Sequence, residues 1–217
     1  MDITKIRSYA VSFRGKCGRP LQRAKYLAVG IGAAGCALVA PTYSMATDWA
    51  MATAFPATNF QTKNDIEFIE DVKRATAGKL LIKLHENQSL LTMPQIKRAV
   101  RSGQVQIGEV VLSAYGNEDP FYEVDSVPML SQGHVNALRL WRVSKPYIEK
   151  RFAAEGLVPL YSVAWPSQGI YSKKPLSALA DLRGAKFRSY NPVTARMADL
   201  LGATPTTVQQ AEVAQAF

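Results

Sequence analysis

Between Thr47 and Ala114 the hydrophobic period of the chain switches repeatedly, and this alternation limits its fold more than any other feature. "TDWAMATAFP" (Thr47 to Pro56) reads as a strand stopped by Pro56. "NFQTKNDIEFIEDVKRATAGK" then sets Ile66, Ile69 and Val72 at a spacing of three, with Phe68 and Ala75 close by. Basic residues come late in this run and Gly78 follows, so it predicts an amphipathic helix that buries that stripe. "KLLIKLH" reads as a buried strand. "LTMPQIKRAVRSG" predicts a second helix, with Thr92 at the N-cap, Pro94 in the first turn and Gly103 as the stop. "QVQIGEVVLSA" reads as a third strand. Strands separated by helices pair through crossovers rather than hairpins, so the expected class is α/β with a parallel sheet.

Further along, "YGNEDPFYEVDSVPML" reads as a loop and Val135 to Ala154 as a longer helix kinked at Pro146. "GLVPLYSVAW" is another strand. The turn-rich "PSQGIYSKKPLSALADLRG", with a short helix near Ser177 to Leu182, reads as a crossing between two lobes. A strand at Ala185 to Tyr190, a helix from Asn191 to Gly202, the strand "TPTTV" and a final helix "QQAEVAQAF" complete the chain. The expected organisation is a leader over 1–46, a first α/β lobe over 47–165, and a crossing with the start of a second lobe over 166–217.

The formal net charge is +9, which raises the question of nucleic acid. Residues 1–46 hold seven basic side chains against Asp2, leaving only +3 for the remainder. The basicity therefore belongs to the leader, and a nucleic-acid partner is not expected. That leader reads as an export signal: a basic stretch, the apolar run Leu27 to Pro41, then "SMA" (Ser44, Met45, Ala46) before a cut after Ala46. A membrane anchor is the alternative, but a permanent span takes about 20 apolar residues and this run is shorter. Cys17 and Cys36 both fall in the leader. "AAGC" lacks the leucine of a lipid-attachment site, and a chain cut after Ala46 needs neither disulfide nor thiol chemistry.

Signals for catalysis are missing. His85 and His134 sit in no metal-ligand spacing, no Gly-x-Ser-x-Gly elbow occurs, and there is no GxGxxG or phosphate loop. No enzyme activity, cofactor or metal is expected. The stretch "KFRSYNP" is more informative. Strand alternation puts Lys186, Arg188 and Tyr190 on one side and Phe187 and Ser189 on the other. Asn191 suits an N-cap and Pro192 a first helical position, while Val193, Met197 and Leu200 form the helix's apolar stripe. Ligands of open α/β sheets bind at the carboxyl ends of the strands, and helix N-termini favour anions. An arginine fork at such a seam matches a carboxylate. Pairing of Arg188 with a surface acid explains the residues equally well, and the pattern alone leaves both readings open.

The run "ADLRGAKFRSYNPVTARMADLLGATPTTVQQAEVAQAF" (Ala180 to Phe217) resembles the most characteristic segment of the solute-binding proteins of tripartite ATP-independent periplasmic (TRAP) transporters. It has that segment's Leu-(Lys/Arg)-Gly-x-Lys-x-Arg strand, a helix ending in Leu-Gly-Ala, a Pro-containing strand and a Glu-Val helix. "FIEDVKRATAGKLLIKLHENQSLL" and "IKRAVRSGQVQIGEVVLSAYGNEDP" resemble the family's first lobe, so the likeness covers essentially residues 47–217. The resemblance implies a two-lobed α/β protein that closes on an organic acid in the periplasm and hands it to a membrane permease. The family's carboxylate-gripping arginine falls on Arg188.

A second arginine, common in the family just after the crossing strand, is replaced here by Gln168 or Tyr171. That disfavours a C4-dicarboxylate and favours a monocarboxylate or hydroxy/keto acid with an apolar or aromatic body, met by Trp165, Gln168 and Tyr171. Strand ends add Phe55, Asn59, Glu109, Tyr115, Gly116 and Asn117 as cleft candidates, with Asn191 capping its helix, contacting ligand, or both. Family members run on well beyond the Glu-Val helix, so the second lobe is expected to be truncated, and residues 1–217 alone to be unstable and to bind poorly. A periplasmic sensor or carrier on the same fold, and a non-functional remnant, are the alternative functions.

Overall fold

The structure, a computed structural model, describes residues 10–13 and 46–216. The apolar run of the leader, both cysteines and Phe217 lie outside the described residues. Strands β1 (Ala10–Phe13), β2 (Thr47–Ala52), β3 (Leu80–His85), β4 (Ile107–Glu109) and β5 (Leu157–Pro159) make one sheet in the order β3-β2-β4-β1-β5. β2 runs parallel to β3, from Thr47 opposite Leu80 to Ala52 opposite His85, and parallel to β4, with Met51 opposite Ile107. The strand–helix alternation thus becomes a parallel sheet, as expected. β1, inside the stretch read as a leader, pairs antiparallel with both β4 and β5.

Helices α1 (Phe60–Ala75), α2 (Met93–Arg101) and α3 (Gly133–Ala154) are the crossovers of this lobe. The main core joins α2 and α3 to the sheet through Ile96, Val100, Val105, Ile148, Phe152 and Leu157. Lys97 is buried in this core and is compensated there: its ammonium lies 2.6 Å from Glu118, 2.7 Å from Glu155 and 4.9 Å from the Tyr122 ring centre. Tyr122 adds a hydroxyl donated to Glu155 at 3.2 Å. Gly103 ends α2 with φ 76°, a conformation that costs a residue without Cβ nothing.

Several elements depart from expectation. β4 closes after three residues, and a 3-10 turn over Leu112–Tyr115 takes up the rest of the predicted strand. Likewise β5 stops at Pro159, and the chain continues to Trp165 outside any ladder. β3 lies at the sheet edge, so it is half-buried rather than buried: Ile82 and Leu84 join a small second core while Leu81 faces water. The predicted loop after Tyr115 holds a 3-10 helix over Pro120–Ser126. α3 runs through Pro146 without a break, and the proline sits on its exposed face.

The largest departure is in α1. Ile66, expected inside, is 45% exposed, while Gln61, Thr62 and Asp65 are fully buried. The C-terminal half of the helix meets apolar neighbours through Phe68 and Ile69, and its first residue, Phe60, packs on Trp165. Between them Asp65 is hydrogen-bonded to Tyr161 and feels the charge of Glu109 at the carboxyl end of β4, while the side chains of Gln61 and Thr62 are buried without a hydrogen-bond partner among the described residues.

After the crossing, β6 (Lys186–Ser189) pairs parallel with β7 (Thr204–Thr207), and α4 (Pro192–Leu200) connects them. Among the described residues this sheet has two strands, so the contact with α4 is narrow. Ala198 is buried, Val193 and Met197 are half-buried, and Leu200, expected on the apolar stripe, is 71% exposed. A 3-10 turn over Gln210–Glu212 and the short α5 (Val213–Ala216) follow.

Gly108 tests how tightly α2 lies on β4. A Cβ there would fall 2.3 Å from Ile96 Cγ2 and 3.0 Å from Val100 Cγ2. Gly108→Ala should cost about 1–3 kcal/mol in chemical denaturation, the usual effect of overpacking. Combined with Ile96→Ala it should cost clearly less than the two changes summed. Strict additivity would show that the contact is not made.

Candidate functional site

β6 hands over to α4 as the sequence predicts. Asn191 is the N-cap, with φ −153° and ψ 168°, and its side-chain oxygen accepts from Thr194 N–H at 2.8 Å. The Thr194 hydroxyl in turn accepts from the N–H groups of Tyr190 and Asn191 at 3.1 and 3.2 Å. With its oxygen committed to the cap, Asn191 donates its amide to Ser113 at 2.9 Å and to Ser126 at 3.2 Å. It therefore both caps the helix and joins the second lobe to the first. A second bridge runs from Asn59, which caps α1 and donates its amide to Gln210 at 2.8 Å.

Arg188 is half-buried at the middle of this seam. Its Nε donates to the carbonyl of Val208 at 3.0 Å, and its guanidinium stands 5.3 Å from the Tyr190 ring centre. Among the described residues no carboxylate forms an ion pair with it. Burial lowers its pKa, the mark of a cation with little local compensation. Burial likewise raises the Tyr190 phenol; Arg188 opposes that rise and Asp125 adds to it.

A small pocket, partly open to solvent, lies at the carboxyl ends of β2 and β4. Phe55, Glu109, Val110, Asp125, Ser162 and Trp165 are among its walls. Trp165 meets Phe55 edge-on at 5.2 Å and Phe60 at 5.1 Å, giving one side a rigid aromatic surface. Glu109 is 1% exposed and accepts from the Thr53 hydroxyl at 2.5 Å. Beside it Asp65, wholly buried, accepts from Tyr161 at 2.7 Å. Burial and the Glu109 charge push the Asp65 carboxyl up to about 9, and a hydrogen bond between the two acids adds to the rise. Burial and the neighbouring charge thus favour the protonated form of Asp65.

Of the residues singled out in the sequence, Phe55, Glu109 and Trp165 meet in the pocket, and Asn191 reaches the adjoining Ser113–Ser126 region. Tyr115 is held elsewhere: it donates to the Met93 carbonyl at 2.5 Å and accepts from Lys97 N–H at 3.3 Å, both in the core. Gly116 is covered by Glu123. Asn117, Gln168 and Tyr171 lie on the surface, Tyr171 at 94% exposure. Asp65, Thr53, Tyr161 and Asp125 escaped the sequence reading. The signal for Asp65 was there: Gln61 and Asp65, four apart, form one polar face on α1.

Residues 51–217 match the bacterial extracellular solute-binding proteins of family 7, DctP. The chain belongs to this family. It is similar to DctP7 of Bordetella pertussis, an extracytoplasmic solute receptor binding pyroglutamic acid, at 50% identity and a TM-score of 0.77. DctP6 of the same organism, which also binds pyroglutamic acid, is 48% identical with a TM-score of 0.77. A marine metagenome TRAP solute-binding protein specific for pyroglutamate is 41% identical, again with a TM-score of 0.77. In that order the matches cover 79%, 78% and 79% of this chain and 57%, 56% and 57% of those chains. This DctP-family chain therefore spans a little over half of their length and has their two-lobed fold with the first lobe largely present. The family captures small carboxylates for transport and is not an enzyme family. Among the described residues of the DctP-family chain no helix is long and apolar enough to cross a membrane.

The buried acid pair gives a pH signature. The Asp65 pKa is raised in the folded state, so its stability contribution is present below about pH 4 and is lost as pH climbs towards about 9. Asp65→Asn keeps a neutral donor towards Glu109 and removes the titration. Its melting temperature should exceed that of the wild type at pH 8 by several degrees and match it closely at pH 4.5. Parallel curves across that range would show that Asp65 is already ionised.

Proposed function

We propose that this chain captures a small monocarboxylic acid of the pyroglutamate class in the periplasm and delivers it to the membrane permease of a TRAP transporter. Arg188 grips the ligand carboxylate in this reading, and Phe55 and Trp165 flank its body. One observation carries it: a half-buried guanidinium with no carboxylate partner among the described residues, at the seam where strand β6 meets the N-terminus of α4. A buried arginine without a counter-charge is costly, and an incoming carboxylate would relieve that cost with two parallel hydrogen bonds.

Relatives 48% and 50% identical bind pyroglutamic acid, which has one carboxylate and a compact ring. That agrees with a single gripping arginine and with Gln168 or Tyr171 where many members have a second. Residues 1–46 serve as the export signal, and cutting after Ala46 would also take β1 out of the sheet.

Two measurements test the proposal. In the full-length protein, Arg188→Ala should weaken L-pyroglutamate binding by about 2–5 kcal/mol in titration calorimetry, with Arg188→Lys recovering only part. Unchanged affinity would overturn the role of Arg188. Protein recovered from the periplasm should begin at Thr47 on N-terminal sequencing; an intact leader would refute the export reading.

A further inference from the structure

We propose that Glu109, held in the pocket by Thr53 and Asp65, selects acids that carry an N–H or O–H donor and no second charge at the end away from the carboxylate. The inference rests on the ligand reading above and goes further, to the half of the ligand that Arg188 does not touch.

Glu109 is a pocket wall and also nearly inaccessible to water, so what it presents to a ligand is a fixed, desolvated acceptor. It is positioned from behind. Thr53 donates its hydroxyl at 2.5 Å, and Thr53 is itself fixed because its oxygen accepts from Phe55 N–H at 3.2 Å. Asp65 is fixed by Tyr161 at 2.7 Å and lies close enough to Glu109 to feel its charge. Asp125, another wall of the same pocket, is a further acceptor.

Two consequences follow for the ligand. A ring N–H or a hydroxyl gains a charge-assisted hydrogen bond at Glu109. A second carboxylate in the same place meets Glu109 and Asp125 with no cation among the walls to offset it. Exclusion of dicarboxylates therefore has a cause separate from the arginine missing after the crossing strand. Asp65 is a positioning residue in this scheme: as a neutral donor it orients Glu109 without adding charge.

The test compares three probes on the full-length protein by titration calorimetry: L-pyroglutamate, its lactone 5-oxotetrahydrofuran-2-carboxylate, and succinate. The lactone keeps the ring, carbonyl and carboxylate and replaces only the N–H. Wild type should prefer pyroglutamate over the lactone by at least about a hundredfold, because a site built around a donor is left unpaired by the analogue. Glu109→Gln should shrink that preference below about tenfold and shift the pyroglutamate-to-succinate ratio towards succinate. Asp65→Asn, which keeps a neutral donor, should retain the wild-type ratio.

Near-equal binding of pyroglutamate and lactone by wild type overturns the proposal without any variant. So does an unchanged ratio in folded Glu109→Gln. These outcomes differ from failure of the ligand reading itself, where wild type would not bind pyroglutamate or Arg188→Ala would leave every affinity intact.

Discussion

A buried acid pair dictates much of the architecture around it. Glu109 closes β4 and Asp65 lies one turn into α1, and neither reaches water. Two ionised carboxylates about 4 Å apart repel by about 4 kcal/mol at the effective dielectric of a protein. A proton retained on Asp65 removes that repulsion and turns it into a hydrogen bond. The arrangement then requires a helix whose first turns are polar on the buried side, a hydroxyl at the end of β2, and a phenol from the segment after β5. Thr53, Gln61, Thr62 and Tyr161 fill those places.

The two faces of the main sheet are consequently built on different terms. On the side of α2 and α3 the packing is dense and apolar, and the buried cation Lys97 is surrounded by two carboxylates and three rings. That face contributes stability. The side of α1 has a smaller core around Met51 and Ile107, and the first turns of the helix bury the polar side chains of Gln61, Thr62 and Asp65. The pocket opens where those polar contacts reach the strand ends, in keeping with the rule that function sits where packing is compromised.

Short-range features were legible in the sequence. The switching hydrophobic period yields the parallel order of β2, β3 and β4, and "YNP" yields the β6–α4 seam with Asn191 as its cap, because each depends on residues within one turn of one another. Arg188 could be placed at a strand end on the same grounds. What the sequence hid is what depends on distant partners. Asp65 and Glu109 meet only after two crossovers, and a periodicity count that favours Ile66 over Gln61 cannot register a polar site at the end of the sheet. Tyr115 shows the converse: an aromatic at a strand end suits a cleft or a core equally, and here Met93 and Lys97 claim its hydroxyl.

Arg188 also has a mechanical side. The Nε that braces it against the Val208 carbonyl ties the guanidinium to the exit of β7, and Val208 is itself bound back to Ser189 through its N–H at 3.1 Å. Two residues later Gln210 receives the amide of Asn59 from the opposite lobe. The group proposed to meet the ligand and the loop that touches the other lobe are therefore one latch, a few bonds long. Whatever pulls on the arginine also tugs on the hasp that holds the two halves together.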